Sequence, residues 1–248
     1  MASRIILCPG QGAQAVGMGK AWAGASPSAR AVFDRADEIL GDRLGAKLSE
    51  LCFSGPGERL NQTDVSQPAI YVTSVACWAG LLAGWNSGPN SGVAEAGMIA
   101  AAGLSLGEYT ALHLAGVFTF EEGLELVVLR GRAMQDAAEA VPSGMVALIG
   151  ADEAQAQGVC DAARGSDVLV CANYNAPGQV VISGSKAACE RAVGVAAEKG
   201  LRAAVLPVAG AFHSPLMAPA AERLAAALAG TSIRTPRCDV FSNVTADV

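Results

Sequence analysis

Residues 144 to 208 constrain the fold more than any other stretch of this chain. "MVALIG", "VLVCANYN", "QVVISG" and "RAAVLPV" are short apolar runs of strand length. "DEAQAQGVCDAARG" follows the first run and "SKAACERAVGVAAEKG" the third, both with helical spacing. The order reads β-α-β-β-α-β, that of the ferredoxin-like split βαβ unit. Outside this stretch, short apolar runs again alternate with helical patterns, the mark of an α/β protein with a largely parallel sheet. "RIILC" (4–8), "GMIAAAG" (97–103) and "DVFSNV" (239–244) read as its strands. The expectation is therefore a large α/β domain of residues 1–141 and 207–248, interrupted by a ferredoxin-like subdomain over 142–206.

The chain can fill a core of that size. Of its 248 residues, 52% are hydrophobic and 16% are charged, with a net charge of −6. That balance argues against a nucleic-acid binder, which would show a basic face. Ser26 and Pro27 mark a helix start, and Val32, Phe33, Ala36, Ile39 and Leu40 make one apolar face behind them. The longest apolar stretch, Ala69 to Trp85, contains Thr73 and Ser74 and has no flanking positive charge, so it reads as a buried helix rather than a membrane span. Loops are expected over 54–68 and 86–92, which are rich in Gly, Pro, Ser and Asn. "MASRIILCPGQG" enters a strand at residue 4 without a signal segment, and cytoplasmic residence is the expectation. Seven cysteines, at 8, 52, 77, 160, 171, 189 and 238, stand singly with no C-x-x-C pair. They read as reduced core residues and not as a disulfide frame or a metal site.

Gly103-x-Ser105-x-Gly107 lies between a strand-like run and the helix-like "EYTALHLAG". This is the nucleophile-elbow pattern: glycines permit the sharp turn, and the serine oxygen is left exposed at a helix N-terminus. Such a serine needs a base, and the chain has two histidines. His113 is eight residues further along the same helix, roughly 12 Å at 1.5 Å per residue, so it reads as a packing residue. His213, in "VAGAFHSPLM", lies just past a strand end, where catalytic side chains gather in α/β folds. Arg130 sits on the apolar side of a helix that starts at a Thr119–Glu122 capping box, and no acidic residue lies at i±3 or i±4. Arg132, by contrast, has Asp136 at i+4. An inward arginine needs an anion, because an unpaired buried charge costs several kcal/mol. A distant Asp or Glu would serve structurally; a substrate carboxylate would fit the guanidinium fork. "CPGQGAQ" (8–14) is not a dinucleotide fingerprint, but a Gly-rich turn at a strand end exposes the backbone N–H groups that an oxyanion hole requires.

"PGQGAQ", "GLSLGEYTAL", "LRGRAMQ", "NAPGQVVISG" and "GAFHSPLM", in that order, closely resemble malonyl-CoA:acyl carrier protein transacylases. The resemblance covers essentially the whole chain. It implies a hydrolase-like α/β core with a ferredoxin-like insertion, and malonyl transfer from coenzyme A to the phosphopantetheine thiol of acyl carrier protein through a malonyl-serine intermediate, in the service of fatty acid biosynthesis. By position it makes Ser105 the nucleophile and His213 its general base and acid. Gln11 and Leu106 become the oxyanion donors and Arg130 the clamp on the malonyl carboxylate. Phe212 would limit space beside the malonyl C2, with Met134, Asn173 and Gln67 near the pocket. Leu104 stands where many relatives have histidine. The resemblance further implies an active site with no tightly bound cofactor and no metal, malonyl-CoA and acyl carrier protein as partners, a monomer, and no nucleic acid or membrane.

The family continues for several tens of residues past the "SNVTA" stretch, so the chain is expected to be C-terminally incomplete relative to it. Two other readings stand beside transfer. One is a serine hydrolase or thioesterase, which would share the elbow and the histidine; the other is an inactive fragment that only binds carrier protein.

Overall fold

A computed structural model describes residues 3–86 and 97–248. From the N-terminus the elements are β1 (Arg4–Cys8), α1 (Lys20–Ala25), α2 (Pro27–Leu40), α3 (Leu48–Ser54), α4 (Gly57–Leu60) and α5 (Thr63–Asn86). Next come β2 (Met98–Gly103), α6 (Leu106–Leu114), α7 (Phe120–Ala140), β3 (Ser143–Ile149), α8 (Glu153–Arg164), β4 (Leu169–Ala176) and β5 (Gln179–Ser185). The chain finishes with α9 (Lys186–Glu198), β6 (Arg202–Val205), a 3-10 turn (Pro215–Met217), α10 (Ala218–Ala229) and β7 (Asp239–Phe241). They divide into two compact units, residues 1–131 with 226–248, and residues 132–225.

In the first unit β1, β2 and β7 form a parallel sheet in the order β1-β2-β7. The register puts Cys8 beside Gly103 and Ala102 beside Phe241, so the three strands end at one level. The Ser26 hydroxyl caps α2 by accepting from the Ala29 N–H at 3.3 Å, with Pro27 at the first helical position. Phe33, Ala36 and Leu40 on its inner face pack with Val65, Ala69, Ile70, Val72 and Ala76 of α5. By length and composition α5 would cross a membrane, but it spends its apolar surface on this core.

The loop expected over 54–68 is partly helical, because α4 and the first turns of α5 fall inside it. Composition misleads there. Arg59 donates to both carboxylate oxygens of Asp64, at 2.6 and 3.0 Å, and Leu60 and Val65 are buried, so packing and an ion pair outweigh the turn residues. Of the expected loop at 86–92, Asn86 ends α5 and the rest lies outside the described residues.

The second unit realises the six-element pattern. Its antiparallel sheet has the order β4-β5-β3-β6, with α8 and α9 as the two crossovers. Alternation along the strands explains where the unit ends. Val146, Leu148, Val180 and Ile182 face a core shared with α8 and α9. Met145, Ala147 and Val181, one residue out of phase, face Ala133, Met134, Ala137 and Ala138 of α7 together with Phe212, Met217 and Ala220. A sheet apolar on both faces must be covered twice. The compact unit therefore runs from 132 to 225, wider than the 142–206 expected from the strands alone.

Candidate active site

The turn between β2 and α6 depends on glycine. A Cβ on Gly103 would lie 2.0 Å from the Gly107 carbonyl carbon, and one on Gly107 would lie 2.2 Å from the Cys8 carbonyl oxygen. A Cβ on Gly10 would lie 2.5 Å from the Leu104 oxygen. These three glycines let the end of β2, the start of α6 and the "CPGQG" loop after β1 pack backbone to backbone. Ser105, between them, takes φ 53° and ψ −103°, a region that side-chain-bearing residues rarely enter. Non-glycine residues with positive φ number three among the described residues: Ser105, His213 and Ala246. Strain of this kind clusters at functional sites.

Ser105 is the N-cap of α6, and its side chain does not cap the helix. Its hydroxyl instead accepts from the Arg130 guanidinium, Nη2 to Oγ 2.9 Å. The Thr119–Glu122 capping box that starts α7 is present, with Thr119 N–H to Glu122 Oε2 at 2.7 Å and Glu122 N–H to Thr119 Oγ1 at 3.1 Å. That start sets the phase that turns Arg130 inward to 9% exposure. Its Nη1 donates to Gln67 Oε1 at 2.7 Å, and Gln67 is itself fully buried on α5. The Tyr109 ring lies 5.5 Å from the guanidinium carbon. No carboxylate among the described residues comes within ion-pair distance of Arg130, so the distant structural partner allowed by the sequence is absent there. Burial accordingly pulls the Arg130 pKa below its ordinary value. The same burial holds the Glu108 carboxyl above the usual range, against the opposing pull of the Asn243 N–H and the Arg130 charge.

Leu106, as the first residue of α6, has an N–H with no partner inside the helix. The Gln11 side chain donates to Thr63 Oγ1 at 3.3 Å, which fastens the "CPGQG" loop to the start of α5. The first unit thus gathers Ser105, Leu106, Arg130 and Gln67 at the elbow, with the Gln11 loop packed against it.

His113 is the packing residue expected. Its Nδ1 lies 3.2 Å from the Phe118 carbonyl oxygen, Tyr71 and Phe120 flank its ring, and burial lowers its pKa. His213, Phe212, Met134 and Asn173 belong to the second unit. His213 is exposed, with φ 58°. Hydrogen bonds on both sides pin its backbone: Ser183 Oγ to the Phe212 oxygen at 2.7 Å, Ser214 Oγ to the Ala211 oxygen at 2.7 Å, and the Ala211 N–H to Ser143 Oγ at 3.1 Å. Phe212 and Met134 share one buried core, and Asn173 is half-buried at an irregular step of β4. Tyr109, Glu108 and Asn243 are the elbow residues that the sequence alone did not single out. Tyr109 carried a signal, since an aromatic four residues after the elbow serine stays on its face of the helix.

A hydroxyl at a strained strand-to-helix turn, in contact with a buried cation, is equipped to bind an anionic acyl group and accept it as an ester. The acyl transferase domain family matches residues 5–248. The malonyl CoA-acyl carrier protein transacylase of Bacillus subtilis is 40% identical over 250 residues, covering all of this chain and 74% of that protein. The protein of the same name from Escherichia coli K12 is 42% identical over 243 residues, 96% of this chain and 74% of that protein. Among solved structures, the Coxiella burnetii transacylase of that name superimposes with a TM-score of 0.88 at 37% identity, covering 99% of this chain and 74% of that one. A malonyl-transacylase in complex with a type II PKS acyl-carrier protein gives 0.87 at 37% identity, over 100% of this chain and 76% of that one. The chain shares its fold with these solved structures, and by the family match and the identity to these relatives it is a member of the acyl transferase domain family.

Proposed function

We propose that this chain transfers a malonyl group from malonyl-CoA to the phosphopantetheine thiol of acyl carrier protein, by way of a malonyl ester on Ser105. One observation carries the reading: the Arg130 guanidinium is buried, touches the Ser105 hydroxyl at 2.9 Å and has no carboxylate partner among the described residues. A cation so placed meets its electrostatic need when a substrate brings a carboxylate, and malonyl does so whereas acetyl does not.

The route has two balanced halves. His213 takes the Ser105 proton as Oγ attacks the thioester carbonyl carbon. Backbone N–H groups of Gln11 and Leu106 hold the oxyanion. The carbon–sulfur bond then breaks, and the coenzyme A sulfur leaves with the proton from His213. In the second half the phosphopantetheine thiol gives its proton to His213 and attacks the ester, and Ser105 recovers its proton. No resident cofactor enters either half.

The relatives' names support malonyl-CoA and acyl carrier protein as the two substrates. A general esterase or thioesterase has no use for an inward cation at its nucleophile, which disfavours hydrolysis. The test is intact-mass analysis after incubation with malonyl-CoA. One malonyl group on the wild-type chain, none on Ser105→Ala, and passage of the label to carrier protein faster than to water is the expected result. Acylation surviving in Ser105→Ala, or release to water alone, overturns the reading.

A further inference from the structure

Asn243 lies two residues beyond β7 and 138 positions from the elbow serine. Its side-chain Oδ1 accepts from the Ser105 backbone N–H. Its Nδ2 donates to the Gly103 carbonyl at 2.6 Å, and its own backbone N–H reaches Glu108 Oε1 at 3.4 Å. The pattern has a physical identity. In a parallel ladder, the carbonyl of residue i−1 and the N–H of residue i+1 pair with one residue on the neighbouring strand. Here i is Leu104, and the neighbour is a side-chain amide. β2 and β7 pair through Ala102 and Phe241, and the next paired level would fall at Leu104 and Asn243. The backbone of Ser105 has by then left the β region, so a main-chain partner no longer fits. A primary amide carries one donor and one acceptor in a plane, like a peptide. It completes the ladder up to the nucleophile.

Resting on the reading of Ser105 as nucleophile, we propose that Asn243 is a positioning residue for the acylation step: its amide clamps the Gly103–Ser105 backbone and so fixes where the Ser105 oxygen points. With Gly103 and Ser105 held, the Leu104–Ser105 peptide cannot rotate to relieve the positive φ. Without the clamp, the serine relaxes toward ordinary backbone angles and its oxygen is displaced. Misplacement of a reacting atom by about 1 Å costs on the order of 10²-fold in rate.

The test measures the rate and endpoint of malonyl-Ser105 formation by rapid-quench intact mass, for wild type, Asn243→Ala and Asn243→Asp. The aspartate keeps the acceptor for the Ser105 N–H and loses the donor for the Gly103 oxygen. Expected for both variants is a fall in the acylation rate constant of roughly ten- to hundred-fold. The KM for malonyl-CoA and the preference for malonyl over acetyl should be unchanged, because Arg130 is untouched. The endpoint should still approach one malonyl group per folded chain, which separates positioning from loss of fold. If Asn243→Ala does not fold, Asn243→Asp decides. Wild-type rates in both variants, or in Asn243→Asp alone when the alanine variant does not fold, overturn the proposal while leaving Ser105 as nucleophile. A fall in endpoint and melting temperature with an unchanged rate constant also overturns it. Failure of the wild-type chain itself to acylate refutes the nucleophile reading instead.

Discussion

Replacing Arg130 by methionine removes the cation and keeps an unbranched stem in the same space. The guanidinium carries five N–H donors, of which Gln67 and Ser105 occupy two. Enough remain for a bidentate grip on a carboxylate. A hydrogen bond to a charged group contributes about 1.5–3 kcal/mol, so two give about 3–6 kcal/mol at a site only 9% exposed. The contact with Ser105 is exchanged rather than simply added when substrate binds, which favours the lower half of that range. At 1.4 kcal/mol per factor of ten, Arg130→Met should lose about 10²–10³-fold in kcat/KM for malonyl transfer relative to acetyl transfer. The assay is the ratio of acyl-enzyme formation from malonyl-CoA and acetyl-CoA, measured side by side for both proteins. Thermal stability gives an independent check. Arg130 has no carboxylate within ion-pair distance among the described residues, so its removal breaks no ion pair. The cost is the donor to the buried Gln67 Oε1 and the attraction on Glu108, and the melting temperature should fall by no more than a few degrees. Equal losses for the two acyl groups, or a collapse in stability, would refute the argument.

Gly107→Ala should destabilise the first unit by about 3 kcal/mol and abolish acylation. Its Cβ would meet the Cys8 and Pro9 carbonyl oxygens at 2.2 and 2.9 Å, and urea melts with the intact-mass assay check both effects. His113 governs part of the acid response. Burial depresses its folded-state pKa, so the folded chain favours the neutral ring. The stability this represents is present above the unfolded value of about 6.5 and lost as pH falls through the folded value. Melting temperatures from pH 7.5 down to 5 should therefore fall more steeply for wild type than for His113→Asn, and parallel curves would count against it.

The features legible in the sequence are those that depend on neighbours along the chain. The second unit was legible because its strands are short apolar runs separated by helical patterns, although only packing revealed that β3 and β5 are apolar on both faces and that α7 and residues 206–220 cover the second. Arg130 was legible because its helix offers it no acid, and Arg132 because its helix does; the pair with Asp136 forms at 2.9 Å. Ser105 announced itself through the flanking glycines. Gln67 carried no local signal, since its buried position comes from α5 running through a stretch of turn-like composition. Asn243 was hidden for a related reason. β7 has only three residues, and the ladder beyond it is completed by a side chain, which no backbone propensity encodes.

The two positive-φ residues with proposed chemistry, Ser105 and His213, have a consequence for how such a chain changes over generations. Glycine adopts positive φ without steric cost, whereas other residues there give up about 1 kcal/mol or more. Glycine at either position would therefore hold the turn more comfortably than the residue found there. A lineage released from its reaction drifts toward whatever folds best, and these are the two places where drift and chemistry pull in opposite directions. Among related chains of this fold, glycine at the elbow or at the turn after Phe212 would mark a descendant that has kept the scaffold and abandoned the transfer.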